Sequence, residues 1–300
     1  MEFPITGVIV DPLLLAGIGF LVGIMGGFFG VGGGFIAGPM MFWLGVPMNF
    51  VVGTDLAHMT GKSIVAARRH RALGHVDAKL GGLMVLGTVF GVEMGASLIE
   101  ALEDTGNVNT IIGVTYIFIL VLISGFTAWE SMHALQMIRT DRVDVEEAVG
   151  FKGIAGKLHG LHIPPMVSLP VSGIASISIW VVIGVGLLTG FLAGFLGVGG
   201  GFIRMPLLVY VMGIPTHIAV GTDLFEIIFS AGYGTLTHAL KGNVDVMMAL
   251  LMQTGAALGA QIGASMTRFF AGPRIRLLFS VLPLLGAIMV MLRLLGLAGV

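Results

Sequence analysis

Two clusters of ionisable and hydroxyl side chains stand at matching places along this chain. The first holds Thr54, Asp55, His58 and Lys62; the second holds Thr222, Asp223 and Glu226, with Ser230 where the first has Lys62. Both lie among apolar residues, where a charged side chain is costly and most often functional. A carboxyl that alternates between dry and wet surroundings can take up and release a proton, so Asp55 and Asp223 read as carriers of a coupling ion. The competing reading makes each the N-cap of a following helix. Lys62 lies two helical turns beyond Asp55, placed either to neutralise it and attract an anion or to snorkel to the headgroups.

Each cluster follows a glycine-rich phrase. The first runs Gly27-Phe28-Phe29-Gly30-Val31-Gly32-Gly33-Gly34-Phe35-Ile36, then Pro39, Gly45-Val46-Pro47 and Gly53-Thr54-Asp55-Leu56. The second runs Gly194-Phe195-Leu196-Gly197-Val198-Gly199-Gly200-Gly201-Phe202-Ile203, then Pro206, Gly213-Ile214-Pro215 and Gly221-Thr222-Asp223-Leu224. This is an internal duplication with a single inserted residue. Glycine costs about 1 kcal/mol and proline about 3 kcal/mol inside a helix, so both phrases predict a break. The amides of Gly32, Gly33 and Gly34, and of Gly199, Gly200 and Gly201, would then open helix N-termini suited to an anion. Thr54 and Thr222 add hydroxyls. Arg204, which replaces Ala37 of the first copy, would strengthen such a site, with the substrate and not a protein carboxylate as its partner. Secondary candidates are His58 with Glu226, and Glu93 with Gln261, pairs that keep polarity without keeping charge. His70 and His238 recur as helix-end residues.

The elements that must position these groups are apolar helices. Hydrophobic residues make up 56% of the chain and charged ones 10%, and the mean hydropathy is +1.02. Runs at 12–29, 80–102, 108–129, 174–196, 246–269 and 275–297 each approach the ~20 residues that span a bilayer core. The fold expected is an all-α integral membrane protein of two pseudo-symmetric repeats with glycine-broken or re-entrant helices: six full spans plus two re-entrant elements, or eight spans if 50–69 crosses fully. Residues 1–138 form the first repeat, 139–172 a polar cytoplasmic linker with a short amphipathic surface helix near 145–158, and 173–300 the second. With the N-terminus outside, the re-entrant version puts Arg68, Arg69, Arg71, Lys79, Arg139, Arg142, Lys152, Lys157, Arg268, Arg274 and Arg276 inside, and Lys241 and Arg293 outside. Charge therefore favours an inverted second repeat. Gly87, Gly91 and Gly95, with counterparts Gly255, Gly259 and Gly263, read as small-residue packing ladders. The first apolar run reads as a retained helix and not a signal peptide.

Duplicated, interrupted helices are the mark of a secondary transporter with its site at the interruptions. A net charge of −1 gives no field for nucleic acid. The chain has no cysteine, which excludes disulfides and thiol catalysis. Gly61-Lys62-Ser63 lacks the leading glycine of a phosphate-binding loop, because position 56 is Leu56. Gly30-Val31-Gly32 lacks the last glycine of a dinucleotide fingerprint, because position 35 is Phe35. No hydrolase motif occurs, so an enzyme is not expected, and neither a cofactor nor a bound metal is.

Taken together, Gly-Val-Gly-Gly-Gly-Phe-Ile-x-x-Pro, Gly-x-Pro, Val-Gly-Thr and His-x-x-x-Gly-x-Val-Asp, present in both halves, resemble the sulfite exporter TauE/SafE family, also called toluene sulfonate uptake permeases. The resemblance implies a multi-pass transporter in a prokaryotic cytoplasmic membrane, its partners the lipid bilayer and a small sulfur-containing anion such as sulfite or an organosulfonate. Asp55 and Asp223 depart from the serine of the commoner Gly-Thr-Ser. Export of that oxyanion by alternating access, coupled to protons, is the function expected. The alternative is a divalent-cation transporter with Asp55, Asp223, His58 and Glu226 as ligands. A homo-oligomer is compatible with either.

Overall fold

The computed structural model describes residues 1–3, 5–103, 107–139, 163–197 and 199–297. Among these, six helices are long and apolar enough to cross a membrane. The first repeat contains α1 (Pro12–Phe29), α2 (Gly34–Trp43), α3 (Met48–Ala72), α4 (Ala78–Glu103) and α5 (Val108–Arg139). The second contains α6 (Ile179–Leu196), α7 (Gly201–Pro206, continued by a π-helical turn over Leu207–Val211), α8 (Thr216–Leu240), α9 (Val246–Met266) and α10 (Gly272–Leu294). A hairpin of β1 (Met166–Leu169) and β2 (Ile174–Ser178) precedes α6. The apolar run from 174 therefore starts as a strand. The helix begins only at Ile179, where the Ser178 side chain accepts the Trp180 N–H at 3.3 Å. Residues 140–162, which hold most of the expected linker and its surface helix, lie outside the described residues.

Glycine ladders hold the bundle together. On α1, Gly19, Gly23 and Gly27 face the backbones of Met252, Ala256 and Ala260 on α9, while Gly255, Gly259 and Gly263 face Ala16, Phe20 and Ile24 in return. The register rises in the same direction on both helices, so they are parallel. Gly87, Gly91 and Gly95 of α4 meet Ile183, Leu187 and Phe191 of α6 in the same way, answered by Gly186, Gly190 and Gly194. A Cβ on Gly91 would fall 2.2 Å from Leu187 O. Only hydrogen fits there, and in lipid such close backbone packing replaces the missing hydrophobic drive between helices.

Contacts at the helix ends fix the path of the chain. At one end, called here the N-terminal face, Thr6 Oγ1 donates to Asp245 Oδ2 at 3.3 Å, Met48 N donates to Asn109 Oδ1 at 2.9 Å, Lys241 pairs with Glu100 and Gly45 lies against Arg293. At the other, the basic face, Arg69 Nε donates to Ser265 Oγ at 3.0 Å, Lys79 donates to Ser168 O at 2.8 Å and Arg276 Nη1 donates to Thr216 Oγ1 at 2.7 Å. The segment at 50–69 belongs to α3, whose 25 residues reach about 37 Å at 1.5 Å per residue. It is a full traverse and not one arm of a re-entrant hairpin. Among the described residues the short broken elements are α2 and α7. After α1 the chain turns inward through 30–33, so that Gly33 stands beside Val22, and α2 then leads to the N-terminal face at Gly45. Five traverses in the first repeat, counting loop and α2 as one, leave the second starting on the opposite face. Inversion holds.

Candidate functional site

Both glycine phrases break their helices where the sequence places the break. Gly30, Gly32 and Gly33 have φ of 79°, 69° and 78°, and Gly197, Gly199 and Gly200 have 74°, 65° and 70°. A side chain is strained in that left-handed region, which explains why both copies use glycine. The loops meet at the centre: Gly32 and Gly199 both lie against the Met59 methyl, and Gly201 against Val31 Cα. Gly34 and Phe35 begin α2 with N–H groups that have no intrahelical acceptor, and Tyr116 donates to Gly34 O at 2.8 Å to hold that end in place.

Asp55 and Asp223 sit inside α3 and α8, whose N-caps are Pro47 and Pro215. Neither carboxylate caps its helix. Around each gathers a sealed polar group: Asp55, His58, Lys62, Arg204, Asp223 and Glu226 are all at most 1% exposed. In the first half-site, Lys62 Nζ donates to His58 Nε2 at 3.2 Å. That assigns the imidazole proton to Nδ1, which lies 2.9 Å from Asp55 Oδ1 and 3.1 Å from Asp55 O. Lys62 is buried and does not snorkel. Both carboxylate oxygens of Asp55 are buried without a hydrogen bond, Oδ1 standing only at ion-pair distance from the imidazole.

In the second half-site, Arg204 Nη1 donates to Asp223 Oδ1 at 2.8 Å and pairs with Glu226 Oε2, while Nε donates to Thr189 Oγ1 at 3.1 Å. The expectation that Arg204 has no protein carboxylate as partner is thus corrected. A guanidinium fully removed from water needs counter-charge at once, and α8 supplies it at two positions one turn apart. Glu226 also accepts from Thr88 Oγ1 at 2.5 Å and Ser230 Oγ at 3.0 Å. Arg204 Nη2 and Asp223 Oδ2 remain buried without a hydrogen-bond partner. Nη2 faces Gly200 much as Lys62 Nζ faces Gly33: a Cβ on each glycine would fall 3.1 Å and 3.0 Å from them. The two repeats therefore place a cation at equivalent points from different helices.

Other candidates lie elsewhere. Thr54 Oγ1 accepts the Asp245 N–H and Thr222 Oγ1 the Asp77 N–H, each at 2.9 Å, tying the helices to the loops of the opposite repeat. Glu93 is exposed on α4 beside Tyr233 and Thr237, and Gln261 is exposed on α9. Among the described residues no three His, Cys, Asp or Glu side chains gather as a metal ion would require, so the alternative ligand set of Asp55, Asp223, His58 and Glu226 is not assembled.

The family model described as sulfite exporter TauE/SafE matches residues 15–290. The chain belongs to that family. It is similar to the probable membrane transporter protein YunE of Bacillus subtilis, 24% identical over 267 residues that cover 85% of this chain and 88% of the relative. A probable membrane transporter protein of Methanocaldococcus jannaschii is 24% identical over 93% of this chain and 95% of its own length. Sulfite exporter TauE/SafE family protein 3 of Arabidopsis thaliana is 31% identical over 28% of this chain and 17% of the relative. No solved structure matches the chain. As a TauE/SafE protein with six apolar helices, this chain is a multi-pass membrane transporter and not an enzyme.

Sequence reading missed Met59, Thr88 and Thr189. A signal for two of them was available: Thr189 stands where the first repeat has Val22, and Thr88 where the second has Ala256. Polar-for-apolar exchanges between the copies mark the side chains that surround Arg204.

Proposed function

We propose that this TauE/SafE transporter exports a small sulfur-containing oxyanion, sulfite or an organosulfonate, from a prokaryotic cytoplasm with coupling to protons. The observation that carries the reading is Arg204 Nη2, buried and without a hydrogen-bond partner against the glycine loop at Gly200. A planar guanidinium edge beside backbone amides fits an oxyanion. Lys62 Nζ offers a second cation beside the other loop. Asp55 Oδ2 and Asp223 Oδ2 are the acceptors open to a coupling proton. The sealed centre corresponds to an occluded state between openings to either face. Lys and Arg gathered at the basic face support a cytoplasmic orientation for that face. Residues 1–138 and 173–300 would be the moving repeats, joined by 139–172.

The test is flux in proteoliposomes with sulfite, organosulfonates, sulfate and divalent metals, with and without a pH gradient. Sulfite or sulfonate flux driven by the gradient, and its loss of gradient dependence in Asp55→Asn or Asp223→Asn, is the expected result. Metal flux without anion flux would overturn the substrate class. Unaltered gradient-driven flux in both variants would remove the carboxylates from coupling.

A further inference from the structure

At the basic face, three imidazoles meet where α1 and α3 of one repeat touch α8 of the other. His70 Nε2 donates to Gly27 O at 3.0 Å, holding the end of α1 just before the first glycine loop. His70 Nδ1 lies 3.4 Å from His75 Nδ1, and the His75 ring stands 5.2 Å, centroid to centroid, from His217 on α8. The backbone closes tightly beside them: a Cβ on Gly221 would fall 2.1 Å from His75 O.

The N-terminal face carries the same construction with different side chains. His238 Nε2 donates to Gly194 O at 2.9 Å, and Gly53 approaches Asn243 O as Gly221 approaches His75 O. At the places of His75 and His217, however, stand Asn243 and Asn49, joined by a hydrogen bond from Asn49 Nδ2 to Asn243 Oδ1 at 3.2 Å. One closure is built wholly from imidazoles, side chains that can take up a proton. The other is sealed across the repeats by amides, which do not titrate.

We infer that His70, His75 and His217 form a proton-binding site that latches the basic face shut, and that protons entering it release that face while leaving the N-terminal face closed. With Nε2 of His70 committed as a donor to Gly27 O, the His70–His75 pair holds one proton between its Nδ1 atoms at most. A second proton makes both atoms donors and abolishes the bond, and a proton on His217 repels its neighbours across the repeat interface. His75 and His217 are only partly buried, so water at this face reaches them. The charged groups on neighbouring elements are engaged or solvated: Asp77 binds Ser172 Oγ and Leu80 N, Arg69 binds Ser265, Arg276 binds Thr216 and Glu130, Lys79 binds Ser168 O, and Arg68, Arg71, Arg268 and Arg274 are exposed. Phe270 lends His217 a backbone carbonyl, and α1 brings no titratable side chain to the contact.

Burial, with His217 alongside, lowers the proton affinity of His75 in the closed face. A site that resists protonation when closed stabilises the closed face above the ordinary histidine pKa of about 6.5, and that advantage fades as pH falls below it.

The absence of native cysteine allows a test that needs no substrate. Val220 and Val52, each packed beneath a glycine of the opposite loop at Gly30 and Gly197, report the two faces when changed singly to cysteine. The readout is the rate of labelling by a membrane-impermeant thiol reagent on full-length protein in detergent, expressed as the ratio of Val220→Cys to Val52→Cys to cancel thiol ionisation. From about pH 7.5 to 5.5 the ratio should rise at least about threefold, because the open face takes up protons that the closed face resists. Adding His75→Asn with His217→Asn copies the pair already used at the other face and should flatten the ratio, with thermal unfolding in detergent checking that the variant is folded. A flat ratio with the histidines present, or an equal rise in the double variant, overturns the latch. Either result is independent of which anion the protein carries.

Discussion

The two half-sites share an ancestor and a carboxylate, yet they neutralise it in opposite ways. In the first, one cation reaches one carboxylate through an imidazole, along a single helix: Lys62, His58 and Asp55 are all on α3. In the second, one guanidinium on α7 bridges two carboxylates on α8. The first arrangement turns on side chains within one element, so α3 can move as a body without breaking it. The second crosses between elements and locks α7 to α8. Duplication thus supplied two equal frames, and divergence at Ala37/Arg204, His58/Glu226 and Lys62/Ser230 made one a chain and the other a clamp.

The comparison breaks first at Arg204. Arg204→Gln leaves Asp223 and Glu226 facing one another without a cation, and loss of one partner of a buried pair costs about 3–5 kcal/mol. Thermal unfolding in detergent should show that loss, and Arg204→Gln with Glu226→Gln should recover part of it. Equal stability of wild type and Arg204→Gln would mean the clamp carries no weight. Lys62→Met removes the far end of a chain whose His58–Asp55 contact survives, so a smaller loss of about 1–3 kcal/mol is expected from the unpaired groups. A larger loss than at Arg204 would reverse the ranking of the half-sites. Ser230→Ala deletes one of the hydrogen bonds to Glu226, for about 0.5–1.5 kcal/mol, and chemical denaturation would detect it. No loss there would assign Glu226 wholly to Arg204 and Thr88.

Much of this architecture was written in the chain. The repeated glycine phrases gave the breaks, and the spacing of Gly87, Gly91 and Gly95 against Gly255, Gly259 and Gly263 gave the ladders, because both follow from local backbone requirements. The crossing at 50–69 was harder to read. Its polar residues lower the hydropathy on which span recognition depends, whereas α3 and α8 are sheathed in protein and need not be apolar. Arg204 was legible as a site residue but not as a clamp, since its partners lie nineteen and twenty-two residues on, beyond a turn. Asn49 and Asn243 gain meaning only once the two faces are superimposed in thought, and no local motif marks them.

The ladders also set an order of assembly. The flat glycine ridge of α1 finds its mate on α9, and that of α4 on α6, so each seam joins an early helix to one made after the midpoint of synthesis. During translation α1 must wait in lipid with an unmatched groove until most of the chain has left the ribosome. The first half alone has no counterpart for either ridge, which makes the nascent protein a client for whatever shields bare helix surfaces in the bilayer, and makes truncation anywhere before α9 a lesion of the N-terminal helix as well.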